Sequence, residues 1–204
     1  NATSAVTCLC WKQTTPCYVA IGTSKGSVNF YWSDCTECDF PPLSYQSRTS
    51  KARHVTSLTF HPIYDVLIAI WSDGVMRSWN CHKGIVSSQM SPHSVKSSAF
   101  LNVLFNQNGS RLVTTDYRGV ISMWLCKPNG SLNLLYTFKL KHGCSHITLY
   151  QLQTPPEEET EEELALSAFY MSSKEGKLYV TTDDGHCNEI LQVEHREIHF
   201  KLLQ

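Results

Sequence analysis

The sequence predicts an all-β chain assembled from repeated four-stranded sheets. Three observations predict it: a unit that recurs three times, apolar residues that alternate with a period of two, and glycine-bearing turns at matching places in each unit. The recurring segments are VTCLCWKQTTPCYVAIGTSKGSVNFYW (Val6 to Trp32), VTSLTFHPIYDVLIAIWSDGVMRSW (Val55 to Trp79) and LNVLFNQNGSRLVTTDYRGVISMW (Leu101 to Trp124).

Each segment opens with an alternating strand that ends on an aromatic, Trp11, Phe60 or Phe105. Alternation places every second side chain on one sheet face. A short polar turn follows, then a second strand that is nearly all apolar, as in Val66-Leu67-Ile68-Ala69-Ile70. Such runs belong to strands covered on both faces. The next turn carries Lys25-Gly26, Asp73-Gly74 or Arg118-Gly119, where Gly supplies the positive φ of a tight hairpin. A third strand then closes on Trp32, Trp79 and Trp124, about 45 residues apart, the spacing of units in which four strands make one propeller blade.

A fourth, degenerate unit spans Ile147 to Val193, where Leu178 to Gly185 echoes Leu112 to Gly119 without a closing Trp. One domain, residues 1–204, is therefore expected, with blades at approximately 1–50, 51–90, 91–143 and 144–204. PPEEETEEE at 155–163 is a like-charge block and is expected to be a solvated insertion; a short helical turn is conceivable only near Glu161 to Leu166. Four blades are fewer than the seven or eight of a common closed ring, which need roughly 300 residues. The chain starts at Asn1, and the expectation is a piece of a larger propeller whose open sheet faces take cover from further blades or a partner.

Composition removes several functional classes. The 204 residues are 42% hydrophobic, enough for a core, and 17 basic against 18 acidic residues give a net charge of −1, so no overall field draws nucleic acid or an anionic membrane. The longest apolar runs fall well below the roughly 18 residues of a membrane helix. A cytoplasmic protein without membrane insertion is expected. Nine cysteines, an odd number set mostly in apolar strands, suggest reduced thiols rather than a disulfide framework. Asn108-Gly109-Ser110 and Asn129-Gly130-Ser131 fit glycosylation sequons, but Asn-Gly is also turn chemistry, and the turn is preferred.

No catalytic, cofactor-binding or metal-binding residue is assigned. Cys35-Thr-Glu-Cys38 is one half of a zinc pattern whose second pair is missing; Cys81 and His82 would complete it only by an accident of folding. Cys8 and Cys10 are expected to point to opposite sheet faces and so not to share an ion. His61, His142, His195 and His199 occupy turn or strand positions, and no nucleophile elbow, phosphate loop or HExxH motif is present. Lys51, Arg53 and His54 form a small basic cluster without stacking aromatics, which argues against nucleic-acid binding. Proteins are the expected partners, through residues the sequence does not single out; the alternative is a module that reads a short peptide motif.

These units resemble the WD40-repeat family in strand pattern more than in signature dipeptides. The Gly-His opening is missing, and Asp stands in the turn before the third strand at Asp73 and Asp184, where Lys25 and Arg118 stand elsewhere. The chain more closely resembles the N-terminal propellers of the intraflagellar transport protein 140 family. That likeness rests on Gly26-Ser27-Val28-Asn29-Phe30-Tyr31, Phe60-His61-Pro62, Gly119 to Trp124, Leu140-Lys141-His142 and Glu175-Gly176-Lys177-Leu178, in this order. It implies a non-enzymatic scaffold within the intraflagellar transport A complex, acting in retrograde ciliary transport and cargo entry. It also implies sister subunits and ciliary cargo or adaptors as partners, and location at the cilium, its basal body and the cytoskeleton. Members of the family carry two propellers and a helical-repeat tail.

Overall fold

A computed structural model describes residues 4–12, 17–32, 34, 36–37, 43–44, 53–81, 83–91, 98–140, 144–150, 168–173, 175–182 and 187–192. These residues form four antiparallel four-stranded sheets, each a meander in which sequence neighbours pair. The first sheet holds β1 (Val6–Lys12), β2 (Tyr18–Thr23), β3 (Ser27–Trp32) and β4 (Leu43–Ser44). The second holds β5 (Val55–Phe60), β6 (Val66–Trp71), β7 (Met76–Asn80) and β8 (Ile85–Met90). β9 (Phe100–Phe105), β10 (Arg111–Asp116), β11 (Val120–Cys126) and β12 (Leu132–Lys139) make the third. The fourth comprises β13 (His146–Tyr150), β14 (Ala168–Ser172), β15 (Lys177–Thr182) and β16 (Cys187–Gln192). No helix occurs among the described residues. The acidic block 155–163, the segment Glu161 to Leu166, Cys35, Cys38, Lys51, His82, His142, Asp184, His195 and His199 lie outside them.

The sheets stack in series. First strands lie side by side, β1 against β5, β5 against β9 and β9 against β13, so that the second and third sheets each show one face to the sheet before and the other to the sheet after. One apolar cluster fills each gap. Between the first and second sheets, Tyr18, Ala20, Val28 and Phe30 meet Leu58, Phe60, Leu67, Ala69, Trp71 and Trp79. The next gap is closed by Val66, Ile68, Ile70 and Met76 against Phe100, Phe105, Leu112 and Trp124. In the last, Val113, Ile121 and Met123 meet Ile147, Phe169, Met171 and Tyr179. Double coverage explains why every residue of β6 is buried and why its sequence does not alternate.

Strand register corrects two of the expected equivalences. Leu178 to Thr182 belong to β15, the third strand of the fourth sheet, which follows Gly176, and so match β11 and not Leu112 to Asp116 of β10. Leu67 pairs with Trp79 and Leu112 with Trp124, so these indoles hold the same slot, five residues after Gly74 and Gly119. Both are buried. In the first sheet the matching residue is Tyr31, which pairs with Val19 and follows Gly26 by the same interval; Trp32 pairs with Tyr18. A shift of one residue turns a side chain to the opposite face, and Trp32 accordingly packs edge-on to Tyr18 on the side facing the second sheet. In the fourth sheet the slot belongs to Thr181, paired with Phe169.

The turn before each third strand is also aligned, by the bond from its Gly N–H to the carbonyl three residues earlier: Thr23, Trp71, Asp116 and Ser173. Thr23 Oγ1 accepts from Ser27 N–H at 3.1 Å. Asp116, fully buried, accepts from Arg118 N–H at 2.8 Å and Val120 N–H at 2.7 Å, and from Ser98 N–H at 2.8 Å in the strand's approach. Ser173 Oγ takes Glu175 N–H and Lys177 N–H. The third sheet therefore does carry its turn Asp, two residues ahead of the place where Arg118 stands. Only in the second sheet is the slot given to Trp71, and there Asp73 Oδ1 caps Val75 N–H instead at 3.1 Å. Trp71 Nε1–H reaches the Gly26 carbonyl of the preceding turn at 3.0 Å. Gly26 has φ +84°, and a Cβ there would lie 2.2 Å from the Arg53 carbonyl oxygen; the position combines a backbone conformation and a close approach that only glycine satisfies.

Candidate interaction surface

One face of the stack has no described neighbour. The register makes Leu9, Leu58, Val103 and Ile147 equivalent, since each pairs with the residue two before its turn's first position: Ile21, Ala69, Thr114 and Met171. Their exposures are 65%, 8%, 5% and 7%. Trp11, Phe60 and Phe105 form another set, with exposures of 49%, 8% and 4%. A third comprises Val6, Val55 and Phe100, each set off from its strand by an irregularity in pairing at the same place; Val6 is 60% exposed and the other two are buried. Val19, Ile21 and Tyr31 complete this face on β2 and β3, all half-buried. The first sheet thus repeats, in water, the apolar pattern that the other three sheets bury.

Exposed apolar groups also crown two turns. Ile63 and Tyr64 project from the β5–β6 turn and Tyr117 from the β10–β11 turn, beside exposed Arg118. Beneath the first of these turns, buried His61 fixes the backbone: its Nδ1 accepts from Ile63 N–H and Tyr64 N–H at 3.1 Å each. Its ring stacks edge-on to Phe105, and the Gly109 position abuts it so closely that a Cβ would sit 2.2 Å from Cε1. Burial holds the His61 pKa below its ordinary value, against a smaller opposing effect of a bond to the Gly109 backbone. The imidazole is therefore a neutral structural acceptor at the joint of the second and third sheets.

Other titratable groups also serve the joints. Lys12, buried at the end of β1, forms an ion pair with Asp65 of the β5–β6 turn, and Tyr18 Oη–H donates to the same carboxylate at 3.4 Å. Cys8 and Cys10 share one face of β1, not opposite faces: residues two apart in a strand lie on the same side, and both pack against the cluster between the first and second sheets. The cysteines among the described residues are free thiols. Burial pushes the Cys81 thiol up to about 12 and those of Cys126 and Cys144 up to about 11, which suppresses the thiolate that reaction or metal binding needs. Among the described residues no group of three His, Cys, Asp or Glu side chains could hold a metal ion. Arg53 of the small basic cluster forms an ion pair with Asp73, and His54 is exposed. Asn108 and Asn129 take Ser110 N–H and Ser131 N–H on their side-chain oxygens at 2.9 and 3.0 Å, the turn chemistry preferred from sequence.

The sequence carried a signal for the Tyr31 slot and for the Asp116 cap. Counting from the turn glycine, rather than from the last Trp of each unit, finds both.

Four-stranded meanders stacked with their first strands adjacent are blades of a β-propeller, a class whose rigid sheets hold binding loops and faces in fixed positions. Residues 1–168 match the family model described as the IFT140 first β-propeller. The chain belongs to that family. No curated protein matches it.

Proposed function

We propose that this chain is a protein-interaction scaffold of the intraflagellar transport A complex, acting in retrograde transport and in cargo entry into the cilium. Membership of the IFT140 first-propeller family, over residues 1–168, is the observation that carries the proposal. The physical arrangement supports it: buried polar groups such as Lys12, His61 and Asp116 are used to lock sheets and turns, while apolar side chains such as Trp11 and Ile63 face water. A frame that does not deform lowers the ordering cost of docking. Its partners are sister transport subunits and ciliary cargo or adaptors, and it works in the cytoplasm, at the basal body and in the cilium. Its residues form a single domain with blades near 1–50, 51–90, 91–143 and 144–204, and it performs no catalysis. Affinity purification of the tagged chain from ciliated cells tests this. Recovery of the transport A subunits, together with a basal-body signal in microscopy, is expected; recovery without any of those subunits would refute the assignment.

A further inference from the structure

We infer that the outer edge of β12 takes an extended segment of another protein as a fifth strand of the third sheet, a segment apolar in its middle and acidic at its ends. That the partner is a protein follows from the scaffold role proposed above; the strand and its charge are set by the third sheet alone.

β12 is the last strand of its sheet. Radial repetition in a propeller covers sheet faces and leaves outer edges, so this edge stays open however many blades the ring holds. Register shows which backbone groups point outward. Leu140 N–H bonds the Gly119 carbonyl at 2.9 Å, and next to it Val120 pairs with Lys139 and Ser122 with Thr137. Bonded and non-bonded pairs alternate in an antiparallel ladder, so the N–H and C=O groups of Thr137 and Lys139 face away from β11. Beyond the irregularity at Met123 and Trp124, Lys127 N–H bonds the Ser131 carbonyl at 3.0 Å, and the same alternation turns Leu132 and Leu134 outward. Leu132 N–H accordingly reaches Ser88 Oγ of β8 at 3.5 Å. The outward groups of Leu134, Thr137 and Lys139 make no such bond among the described residues.

This edge also lacks the usual protection. Natural edges are blunted by shortness, charge or cover. β4 has two residues, β16 carries Glu189 in an ion pair with Lys177, and Ser87 and Ser88 of β8 lie against Gly130 and Leu132 of the next sheet. β12 runs for eight residues, LNLLYTFK, with its one charge at the last position, and Leu134 and Leu135 are 40% and 43% exposed. Charge then selects the ligand. From 98 to 140 the sequence holds Arg111, Arg118, Lys127 and Lys139 against one acid, Asp116, which is buried and occupied as a turn cap. Lys127 stands near the start of β12 and Arg118 and Lys139 near its end, all exposed. An added strand gains main-chain bonds along the edge, and opposite charges at its two ends stabilise the pairing where like charges would oppose it.

Fluorescence anisotropy of the full chain with the labelled peptide DEVTVTVED tests this, beside the lysine-flanked KKVTVTVKK and the proline-interrupted DEVTPTVED. The acidic peptide should bind at least about ten-fold tighter than either of the others. On binding, amide exchange at Thr137 and Lys139 should slow, while that at Phe138, already bonded to β11, should not change. Thr137→Pro removes an outward N–H at an edge position that tolerates proline; it should abolish binding and leave the far-ultraviolet circular dichroism unchanged. Lys139→Glu keeps the backbone and should weaken the acidic peptide while strengthening the lysine-flanked one, and it carries the test should the proline variant fail to fold. Absence of saturable binding by the acidic peptide overturns the inference. So do equal affinities for the three peptides, binding that Lys139→Glu leaves intact, and exchange protection confined to other strands. A labelled single-stranded oligonucleotide that binds more tightly and displaces the acidic peptide would make this a nucleic-acid surface and overturn it too. None of these results bears on whether the chain is recovered with transport subunits, so this failure and that of the proposed function are separable.

Discussion

Trp79 and Trp124 occupy the same slot in neighbouring sheets yet should respond differently to the same substitution. Trp124 is fully buried, packs edge-on to Phe100 and donates its Nε1–H to Thr114 Oγ1 at 3.0 Å. Trp79 is 7% exposed, and its Nε1 is buried with no hydrogen-bond partner among the described residues. Truncation to Ala removes about 200 Å² of buried surface at either site, or about 5 kcal/mol at about 25 cal/mol per Å². Residual compactness of the unfolded chain trims this to about 3–4.5 kcal/mol, within the range of large aromatic deletions. Substitution by Phe keeps most of that area, and the polar atom then decides. At 124 it strips the buried Thr114 hydroxyl of its donor, a cost of about 1–3 kcal/mol. At 79 it removes a donor whose unsatisfied burial already costs a similar amount. Trp79→Phe should therefore be at least about 1 kcal/mol less destabilising than Trp124→Phe. Urea unfolding followed by far-ultraviolet circular dichroism measures both at equal chain concentration. If Trp79→Phe proves as costly as Trp124→Phe, or more so, the polar accounting is wrong.

Three further outcomes are expected. His61 has a folded pKa below its unfolded value of about 6.5, so the unfolded chain binds the proton more readily; its contribution to stability is complete above about pH 6.5 and is lost as pH falls below that value toward the folded pKa. The drop in melting temperature from pH 7.5 to 5.5 should be smaller in His61→Gln than in wild type, and equal drops would contradict the depressed pKa. Asp116→Ala leaves the N–H groups of Ser98, Arg118 and Val120 without their acceptor and should cost about 2–4 kcal/mol, whereas Asp116→Asn, which retains one acceptor oxygen, should cost less; chemical denaturation of the pair ranks them. All nine cysteines should titrate with a thiol reagent after denaturation, while in the native chain the buried Cys81, Cys126 and Cys144 react only as fast as the sheets open.

How much was legible in the sequence varies with the range of the interaction. Val66 to Ile70 announced a doubly covered strand, and Asp73-Gly74 and Arg118-Gly119 announced hairpins, because burial on two faces and a positive φ are conditions each residue meets locally. The equivalence of Trp32 with Trp79 and Trp124 failed because visible chemistry, a Trp near a strand end, was followed in place of spacing. Pairing of Val19 with Tyr31 is decided across strands. The Asp116 cap is missed for a related reason: the comparison rests on Arg118, next to the glycine, and not on the residue three before Gly119, whose carbonyl takes the Gly119 N–H.

By itself the sequence determined the all-β class, the repeat, the strand alternation and the turns, since these follow from each residue's own backbone preference and from a period of two along the chain. The tertiary structure alone decided which of two identical apolar patterns is core and which is surface. Leu9 and Leu58, or Trp11 and Phe60, are equivalent by residue type and register, and only the presence of the first sheet against the second, and of nothing described against the first, makes one of each pair part of the core and leaves the other exposed to water.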